Sequence, residues 1–201
     1  MAEWKLFDGD VPYVSTAEFH RDRERAPHLE QPLHRPRLLR AAGFVLAAAS
    51  LVRRTEEFAT VSDLGCGDGG LLSLIQDDVS SAWGYDFAPA NAAGWFERGV
   101  HGEALDVFGA DQDKVLFGNI AVTTEVLEHV AWPHEAVRWI GENSRFLVAS
   151  SPWEETPDAH DECHAWAFDV AGYRALLEQG GFQVMRHEKV GMFQVVLGMR
   201  Q

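Results

Sequence analysis

The sequence has few cysteines and no long apolar run, and each shortage excludes a class of protein. The two cysteines, Cys66 and Cys163, are far apart in a chain of 201 residues, unlike the dense pattern of a disulfide-stabilised secreted domain. The longest apolar run, residues 41–52, is shorter than the roughly 20 residues that cross a membrane. No basic segment followed by an apolar one opens the sequence, so no secretion signal is expected. These features predict a cytoplasmic protein without a membrane span.

Basic residues are scarce too, and they are unevenly distributed. The chain has 17 Lys and Arg against 31 Asp and Glu. Residues 1–54 hold nine of the basic and seven of the acidic residues, which leaves a net charge of −16 on residues 55–201. An acidic body repels phosphate backbones, so nucleic acid is disfavoured as a partner and a small-molecule substrate is favoured. The acidity also has a simpler explanation, which is solubility.

Strand-like and helix-like segments alternate through most of the chain. The alternation begins after residue 55 and predicts a parallel sheet with helices on both faces. The last two strand-like runs are separated by a short turn only, so they must pair antiparallel. A composition with 46% hydrophobic residues is enough to fill the core of one domain. The prediction is one domain over residues 1–201, with the core at 55–201.

The first 54 residues form a separate part of this prediction, an N-terminal helical arm. Residues 1–35 are irregular in pattern, and Pro36 is well placed as an early residue of the helix that follows. We expect the arm to cover the binding pocket as a lid that excludes water, with Tyr13, His28 and His34 facing inward.

A glycine-rich segment at residues 62–70, "SDLGCGDGG", follows the first strand of the core. Gly65 and Gly67 fit the dinucleotide pattern G-x-G-x-x-G when Gly70 is the third glycine, and the pattern G-x-G-x-G when Gly69 is. In both patterns the glycines let the backbone approach a ligand at the start of a helix.

The acidic residues around this turn choose between the two patterns. Asp63 lies two residues before Gly65, and Asp68 lies inside the turn. Carboxylates at these positions repel a pyrophosphate and suit an amino group. The segment therefore favours a cofactor with an amino group over a dinucleotide.

Residues 61–75, "VSDLGCGDGGLLSLI", resemble motif I of the class I S-adenosylmethionine-dependent methyltransferases. Three further segments resemble that family in order: "AWGYDF", "HGEALDVF" and "NIAVTTEVLEHV", the last with an E-V-L-E-H phrase found in a large subgroup. A later segment, "HAWAFDVAGYRALLEQGGFQV", also matches. The resemblance implies a Rossmann-like α/β fold with a seven-stranded, mostly parallel sheet, helices on both faces and a C-terminal antiparallel strand pair.

The resemblance also implies which residues hold S-adenosylmethionine. The acid at the end of the second strand takes both ribose hydroxyls, since a carboxylate accepts two hydrogen bonds side by side. The acid near the adenine aligns with Glu103, where the family commonly has Asp, and Asp106 is its rival. The cofactor-binding residues expected on this basis are Asp63, Gly65, Cys66, Gly67, Asp86, Phe87, Glu103, Ala104, Asp106 and Thr124.

Glu125, Glu128 and His129 share one face if "TEVLEHV" forms a helical turn, as the resemblance suggests. Two carboxylates and an imidazole can bind a divalent metal ion, and two related subfamilies use this arrangement for one. His160 and His164 are candidate further ligands. In relatives without a metal, the glutamate and histidine of the E-V-L-E-H segment orient the start of the helix or serve as a base.

The sequence thus predicts a methyltransferase that acts on an oxygen or nitrogen of a small molecule. Loss of a proton from the acceptor needs a base, for which His129 is the first choice and His164 the second, with Glu125 as an orienting or substrate-contacting group. The alternatives are a metal-dependent RNA 3′-terminal 2′-O-methyltransferase, a non-catalytic cofactor-binding partner protein and a dehydrogenase. The tryptophans that follow the fourth and fifth strands form either an aromatic acceptor pocket or part of the core: Trp132, Trp153 and Trp166.

Overall fold

The computed structural model of the protein describes residues 2–201. Nine strands follow one another along the chain: β1 (Glu3–Lys5), β2 (Thr60–Leu64), β3 (Ser81–Asp86), β4 (His101–Ala104), β5 (Ile120–Thr124), β6 (Phe146–Pro152), β7 (Trp166–Phe168), β8 (Phe182–Val190) and β9 (Phe193–Arg200). Six α-helices alternate with them: α1 (Ala17–Arg21), α2 (Arg35–Val52), α3 (Gly70–Ile75), α4 (Ala92–Arg98), α5 (Pro133–Asn143) and α6 (Val170–Gln179). Three short 3₁₀ turns occupy Gln76–Asp78, Pro89–Asn91 and Gln112–Lys114.

Seven strands form one sheet in the order β4-β3-β2-β5-β6-β9-β8. The pairs from β4 to β6 are parallel, whereas β6 with β9 and β8 with β9 are antiparallel. The predicted Rossmann-like fold with its C-terminal antiparallel pair is therefore confirmed. The strand order reverses between β2 and β5, which creates a crevice at the carboxyl ends of these strands.

Alternating side chains of the sheet strands supply two hydrophobic cores, one on each face. In β6, Phe146 and Val148 pack in the core beneath α2, and Leu147 and Ala149 pack in the core beneath α5 and α6. This alternation follows from the two-residue period of a strand. The sheet is thereby fixed between two helix layers, and its carboxyl edge is left for the site.

Helix α2 forms where the sequence predicts a helix, with Pro36 in its first turn. Its small apolar residues, among them Ala41 and Ala48, are fully buried against the sheet. The long apolar run of the sequence is thus an internal helix. None of the helices within residues 2–201 has the length and apolar character that crossing a membrane requires.

The N-terminal arm contains a small strand pair that the sequence did not predict. Strand β1 pairs antiparallel with β7, with Trp4 opposite Ala167. At the base of α6, Asp169 donates its backbone N–H to the carbonyl of Ala2. The start of the arm is thus fixed to the core, next to the loop between β6 and β7.

Candidate active site

A cavity of about 460 Å³ lies at the carboxyl ends of β2, β3, β4 and β5. This is the point where the strand order reverses and where open α/β sheets bind ligands. The loops after these strands line one side of it. Residues of the N-terminal arm line the other, and they include Tyr13, Ser15, His20, Arg23 and His28. The arm therefore covers the cavity; that it opens and closes as a lid stays a prediction.

The glycine turn lies at the floor of this cavity. Gly65 has φ +85° and Gly67 has φ +54°, a backbone region that side chains disfavour. The N–H groups of Gly65 and Cys66 both donate to the carbonyl of Tyr85, at 2.8 and 2.9 Å. A Cβ atom on Gly65 would overlap with the side chain of Val126. The turn therefore needs glycine both for its conformation and for its close approach to the segment after β5.

Asp63, the fourth residue of β2, is 1% exposed and lines the cavity. Its Oδ1 atom has no hydrogen-bond partner within residues 2–201. Burial and the nearby Asp86 raise the pKa of its carboxyl to about 7, while Arg37 acts in the opposite direction. An unpaired buried carboxyl is costly, and an amino group that binds in the cavity would supply the missing donor.

Asp86 ends β3 on the other side of the glycine turn. Its carboxylate accepts hydrogen bonds from the N–H of Gly67 at 2.8 Å, the N–H of Ala88 at 2.9 Å and the amide of Asn91 at 2.9 Å. Burial raises its pKa, and these three donors lower it. The carboxylate is thus held rigidly at the cavity wall, where Phe87 follows it.

The structure distinguishes the two acids near β4 that the sequence offered as contacts for the adenine. Asp106 lines the cavity, whereas Glu103 and Ala104 are exposed and do not line it. One carboxylate oxygen of Asp106 accepts the N–H of Ala110, which fixes the loop. The cavity therefore contains the rival acid and not the residue that aligns with the family pattern.

The segment after β5 begins with Thr124 and Glu125, which both line the cavity. Glu125 has φ +58°, an unusual conformation for a residue with a side chain. Its carboxylate accepts the hydroxyl of Ser150 at 2.8 Å, and its N–H donates to the carbonyl of the same residue. This contact with β6 fixes Glu125 at the rim.

The expected helical turn through Glu125, Glu128 and His129 is only partly present. A single turn begins after Glu125, with the N–H of His129 donating to the carbonyl of Val126. Glu125 lies outside that turn because of its left-handed backbone, so the three side chains are not consecutive on one helix face. The correction matters for a metal, because the helical arrangement was the reason to group these three residues.

Glu128 is fully buried, and neither carboxylate oxygen has a hydrogen-bond partner within the described part of the chain. Burial, with the nearby Glu125, raises the pKa of this carboxyl well above its ordinary value. Burial thus favours the protonated form of this carboxyl beneath the site. Its carbonyl accepts the N–H groups of Ala165 and Trp166, so its backbone positions the loop before β7.

His129 lines the cavity and contacts the arm. The hydroxyl of Ser15 donates to the carbonyl of Cys163, so Ser15 Oγ acts as the acceptor for His129 Nδ1, 3.1 Å away. This network assigns the ring proton to Nδ1 and leaves a lone pair on Nε2. Burial, and then the neighbouring His164 and His20, lower the pKa of His129 to about 3. At neutral pH the ring is therefore an uncharged acceptor.

His164 lies behind His129, with the two ring centroids 4.7 Å apart. Its Nδ1 contacts both carboxylate oxygens of Glu155, at 2.8 and 2.9 Å, and both side chains are buried. The segment that contains His160 and His164 is not helical, and of these two candidate further ligands only His164 lies beside His129. His160 is exposed and contacts the carbonyl of Thr156.

Asp68, which the sequence associated with an amino group of the ligand, has other partners. Its carboxylate accepts hydrogen bonds from the guanidinium groups of Arg25, at 3.2 Å, and Arg98, at 2.8 Å. Arg98 also forms an ion pair with Glu30. Arg25 and Glu30 belong to the arm, whereas Arg98 ends α4. We call these four residues the ionic clamp. The clamp connects the glycine turn to the arm, so Asp68 is a structural residue of the turn.

Arg37 was not anticipated from the sequence. Its side chain is 1% exposed and donates to the hydroxyl of Ser150 at 3.3 Å. Burial raises the pKa of Glu125, Glu128 and Asp63, and the positive charge of Arg37 offsets part of that rise. No local pattern around residue 37 indicates this role, since an arginine in the first turn of a helix is ordinarily exposed.

The three tryptophans considered for an acceptor pocket do not lie together. Trp132 lines the cavity and is 59% exposed. Trp153 contacts Lys189, and Trp166 stacks on Phe168. Only Trp132 is therefore placed to meet a ligand in this cavity.

The reversal of strand order, the glycine turn and the carboxylates near the ends of β2 and β3 define a class, that of Rossmann-like proteins that bind a nucleotide-containing cofactor. Residues 33–190 match the family model described as a methyltransferase domain. The chain belongs to this family, and its fold is that of S-adenosylmethionine-dependent methyltransferases. No curated protein sequence matches it.

Solved structures share the fold at low sequence identity. The N-methyltransferase NodS from Bradyrhizobium japonicum WM9, in complex with S-adenosyl-L-homocysteine, has a TM-score of 0.71 at 13% identity, over 94% of this chain and 98% of that one. The magnesium protoporphyrin IX methyltransferase ChlM from Synechocystis PCC 6803 has a TM-score of 0.62 at 14% identity, over 84% of this chain and 85% of that one. The cyclase SpnF has a TM-score of 0.64 at 11% identity, over 90% of this chain and 85% of that one.

Proposed function

We propose that the protein is an S-adenosylmethionine-dependent methyltransferase that transfers a methyl group to an oxygen or nitrogen of a small molecule. The observation that carries the proposal is the buried, unpartnered carboxylate oxygen of Asp63 on the floor of the cavity. It stands beside a glycine turn in a chain of the methyltransferase domain family.

The residues around the cavity fit this cofactor. Asp63 suits the amino group of its methionine part, and the Gly65–Gly67 turn lets that part approach the backbone. Asp86 suits the ribose hydroxyls, and Asp106 and Phe87 are placed for the adenine end. When bound, the cofactor would supply a methyl group on a sulfonium; the acceptor atom would bond to the methyl carbon while the bond to sulfur breaks in line and the thioether leaves.

The acceptor end of the cavity is formed by the segment after β5. His129 presents an uncharged ring there, and we propose that its Nε2 atom acts on the acceptor. Glu125, held by Ser150, and His164, behind His129, complete the catalytic group that we propose. The chain positions these residues through β5, β6 and the loop before β7.

A small acceptor is supported by the size and charge of the site. The cavity of about 460 Å³ must hold both cofactor and acceptor beneath the arm. The net charge of −16 on residues 55–201 disfavours a nucleic-acid acceptor. NodS and ChlM, which share the fold, are named for nitrogen methylation and for a porphyrin substrate, respectively.

The proposal is tested with S-adenosylmethionine carrying a labelled methyl group and a panel of small hydroxyl and amine compounds. We expect label transfer to at least one compound, and a loss of about 10²-fold or more in His129→Ala, the range for a group that acts on the reacting proton. The exposed His160→Ala is the matched control and should keep full activity. Label transfer that is equal in His129→Ala and wild type would contradict the role of His129.

The fold match to the cyclase SpnF gives a reason to measure cofactor binding separately from methyl transfer. A protein that binds the cofactor tightly but transfers no label to any acceptor class, RNA ends included, would be a cofactor-binding protein of another function.

A further inference from the structure

Three potential metal ligands meet beside the acceptor end of the cavity. One ring nitrogen each of His129 and His164 and the sulfur of Cys163 lie within 4.8 Å of one another. His129 comes from the turn after β5, and the other two come from the loop before β7. Glu125 and Glu128 are not part of this group.

In both rings Nδ1 is held by oxygen atoms, which leaves Nε2 as the nitrogen that can bind an ion. Nδ1 of His164 contacts both oxygens of Glu155, a carboxylate that is only 9% exposed. Nδ1 of His129 contacts Ser15 Oγ at 3.1 Å and the carbonyl of Cys163 at 3.2 Å. Histidines that bind metals are oriented in this way, with one nitrogen donating to a carboxylate or carbonyl and the other free for the ion.

The donor set selects the kind of ion. One thiolate and two imidazoles are typical ligands of zinc, whereas magnesium and calcium need oxygen ligands. Three protein ligands leave a fourth position of a tetrahedral ion open. We propose that His129, Cys163 and His164 bind a zinc ion.

Some movement must accompany binding. Ligand atoms around a tetrahedral zinc ion are about 3.5 Å apart, given bonds of about 2.0 to 2.3 Å. A separation at the 4.8 Å limit must therefore shorten by about 1.3 Å, and shorter ones by less. Cys163, which lies on a loop, gives up its thiol proton to the solvent as the sulfur binds the ion. His129 lines the cavity, so the fourth position faces the acceptor end. This last point rests on the proposed function: with zinc bound, Nε2 of His129 is a ligand, so the ion replaces that atom as the group that meets a hydroxyl or amine of the acceptor.

The test titrates metal-free protein with Co²⁺, a spectroscopic substitute for zinc. Wild type should show a sulfur-to-cobalt charge-transfer band and the visible bands of a four-coordinate ion, both of which are displaced by Zn²⁺. Cys163→Ser should lose the charge-transfer band, and Glu155→Gln should weaken zinc binding by about 10- to 100-fold. His160→Ala, which changes an exposed histidine of the same loop, should match wild type.

The wild-type spectrum alone can overturn the proposal, whether or not a variant folds. Absence of the charge-transfer band in wild type, or its persistence in a folded Cys163→Ser protein, would do so. Binding of S-adenosylhomocysteine is measured on the same samples. Cofactor binding without metal binding rejects the zinc site alone, whereas metal binding without cofactor binding rejects the proposed function alone.

Discussion

At the scale of single residues, the site depends on ionisable groups that the fold buries without full compensation. Within residues 2–201, Asp63 has one oxygen without a hydrogen-bond partner and Glu128 has two, and the nearby cation Arg37 is itself buried. Such groups lower the stability of the ligand-free protein, and a ligand that pairs with them recovers part of that energy. We expect the residues that bind the cofactor to be those that cost stability in its absence.

Replacement of Asp63 by asparagine tests this at one residue. Burial and Asp86 raise the pKa of Asp63 from 3.8 to about 7 in the folded protein. Between these values the folded state keeps a proton that the unfolded state has lost, so this group makes wild type less stable as the pH rises. The slope is at most about 1.4 kcal/mol per pH unit.

The amide that replaces the carboxyl does not titrate, so the melting temperature of Asp63→Asn relative to wild type should rise from pH 5 to pH 7. The measurement is thermal unfolding of both proteins without ligand. Asp10→Asn, at an exposed carboxyl, is the control and should show no such trend. If the melting temperatures of Asp63→Asn and wild type differ by the same amount at pH 5 and pH 7, the result is inconsistent with a buried proton on Asp63.

At this scale the sequence predicted site residues at the ends of strands, but it did not predict contacts between residues that are distant in sequence. Asp63, Asp86, Asp106 and His129 all line the cavity, because the carboxyl ends of parallel strands meet at one edge. The sequence indicated no role for Cys163 beyond its wide separation from Cys66, since its place beside His129 depends on contacts between segments 34 residues apart. The direct roles of the predicted site residues stay predictions until a ligand is bound.

At the scale of elements, the N-terminal arm contacts the core at both ends of the cavity. The ionic clamp connects it to the glycine turn through Asp68, and Tyr13 donates to the carbonyl of His129 at 2.5 Å. The arm therefore contacts both the proposed cofactor end and the proposed acceptor end of the cavity. If the arm opens as the predicted lid, these contacts must break before a ligand leaves.

Arg25→Gln should loosen this closure. Arg25 binds the buried Asp68 and the exposed Glu97, and a partly exposed pair of this kind is worth about 1 kcal/mol, or roughly fivefold in a rate. We expect S-adenosylhomocysteine to dissociate several-fold faster from the variant in stopped-flow measurements. Amide hydrogens of residues 13–28 should also exchange faster.

Arg174→Gln breaks an exposed pair with Glu178 on α6, outside the ionic clamp, and is the control. Equal dissociation rates for Arg25→Gln and wild type would show that the clamp does not hold the arm closed.

The sheet was predictable from the sequence at the level of elements, because its strands are apolar runs separated by helical segments. The β1–β7 pair was not, since three-residue strands leave no periodic pattern. The extra turn expected at Glu125 failed for a related reason: the left-handed conformation there is set by contacts with Ser150 on β6, which no local pattern records.

At the scale of the whole molecule, the glycine turn fits two cofactors, and its surroundings distinguish them. A buried carboxyl at Asp63 and a second at Asp86 flank the turn, and the floor of the cavity would repel a pyrophosphate. That residues 1–201 form a single methyltransferase domain, with an arm at 1–54, stays a prediction. The central claim is that this cavity binds S-adenosylmethionine.

Isothermal titration calorimetry with S-adenosylhomocysteine tests that claim most directly. Wild type should bind one molecule saturably and should not bind NADH. Gly65→Ala should weaken binding by about 100-fold or more, since its Cβ would overlap Val126 in the turn. Gly99→Ala, at φ +65° with open space around it, carries the same backbone cost of about 1 kcal/mol and should bind like wild type. Saturable binding of NADH without binding of S-adenosylhomocysteine would contradict the account.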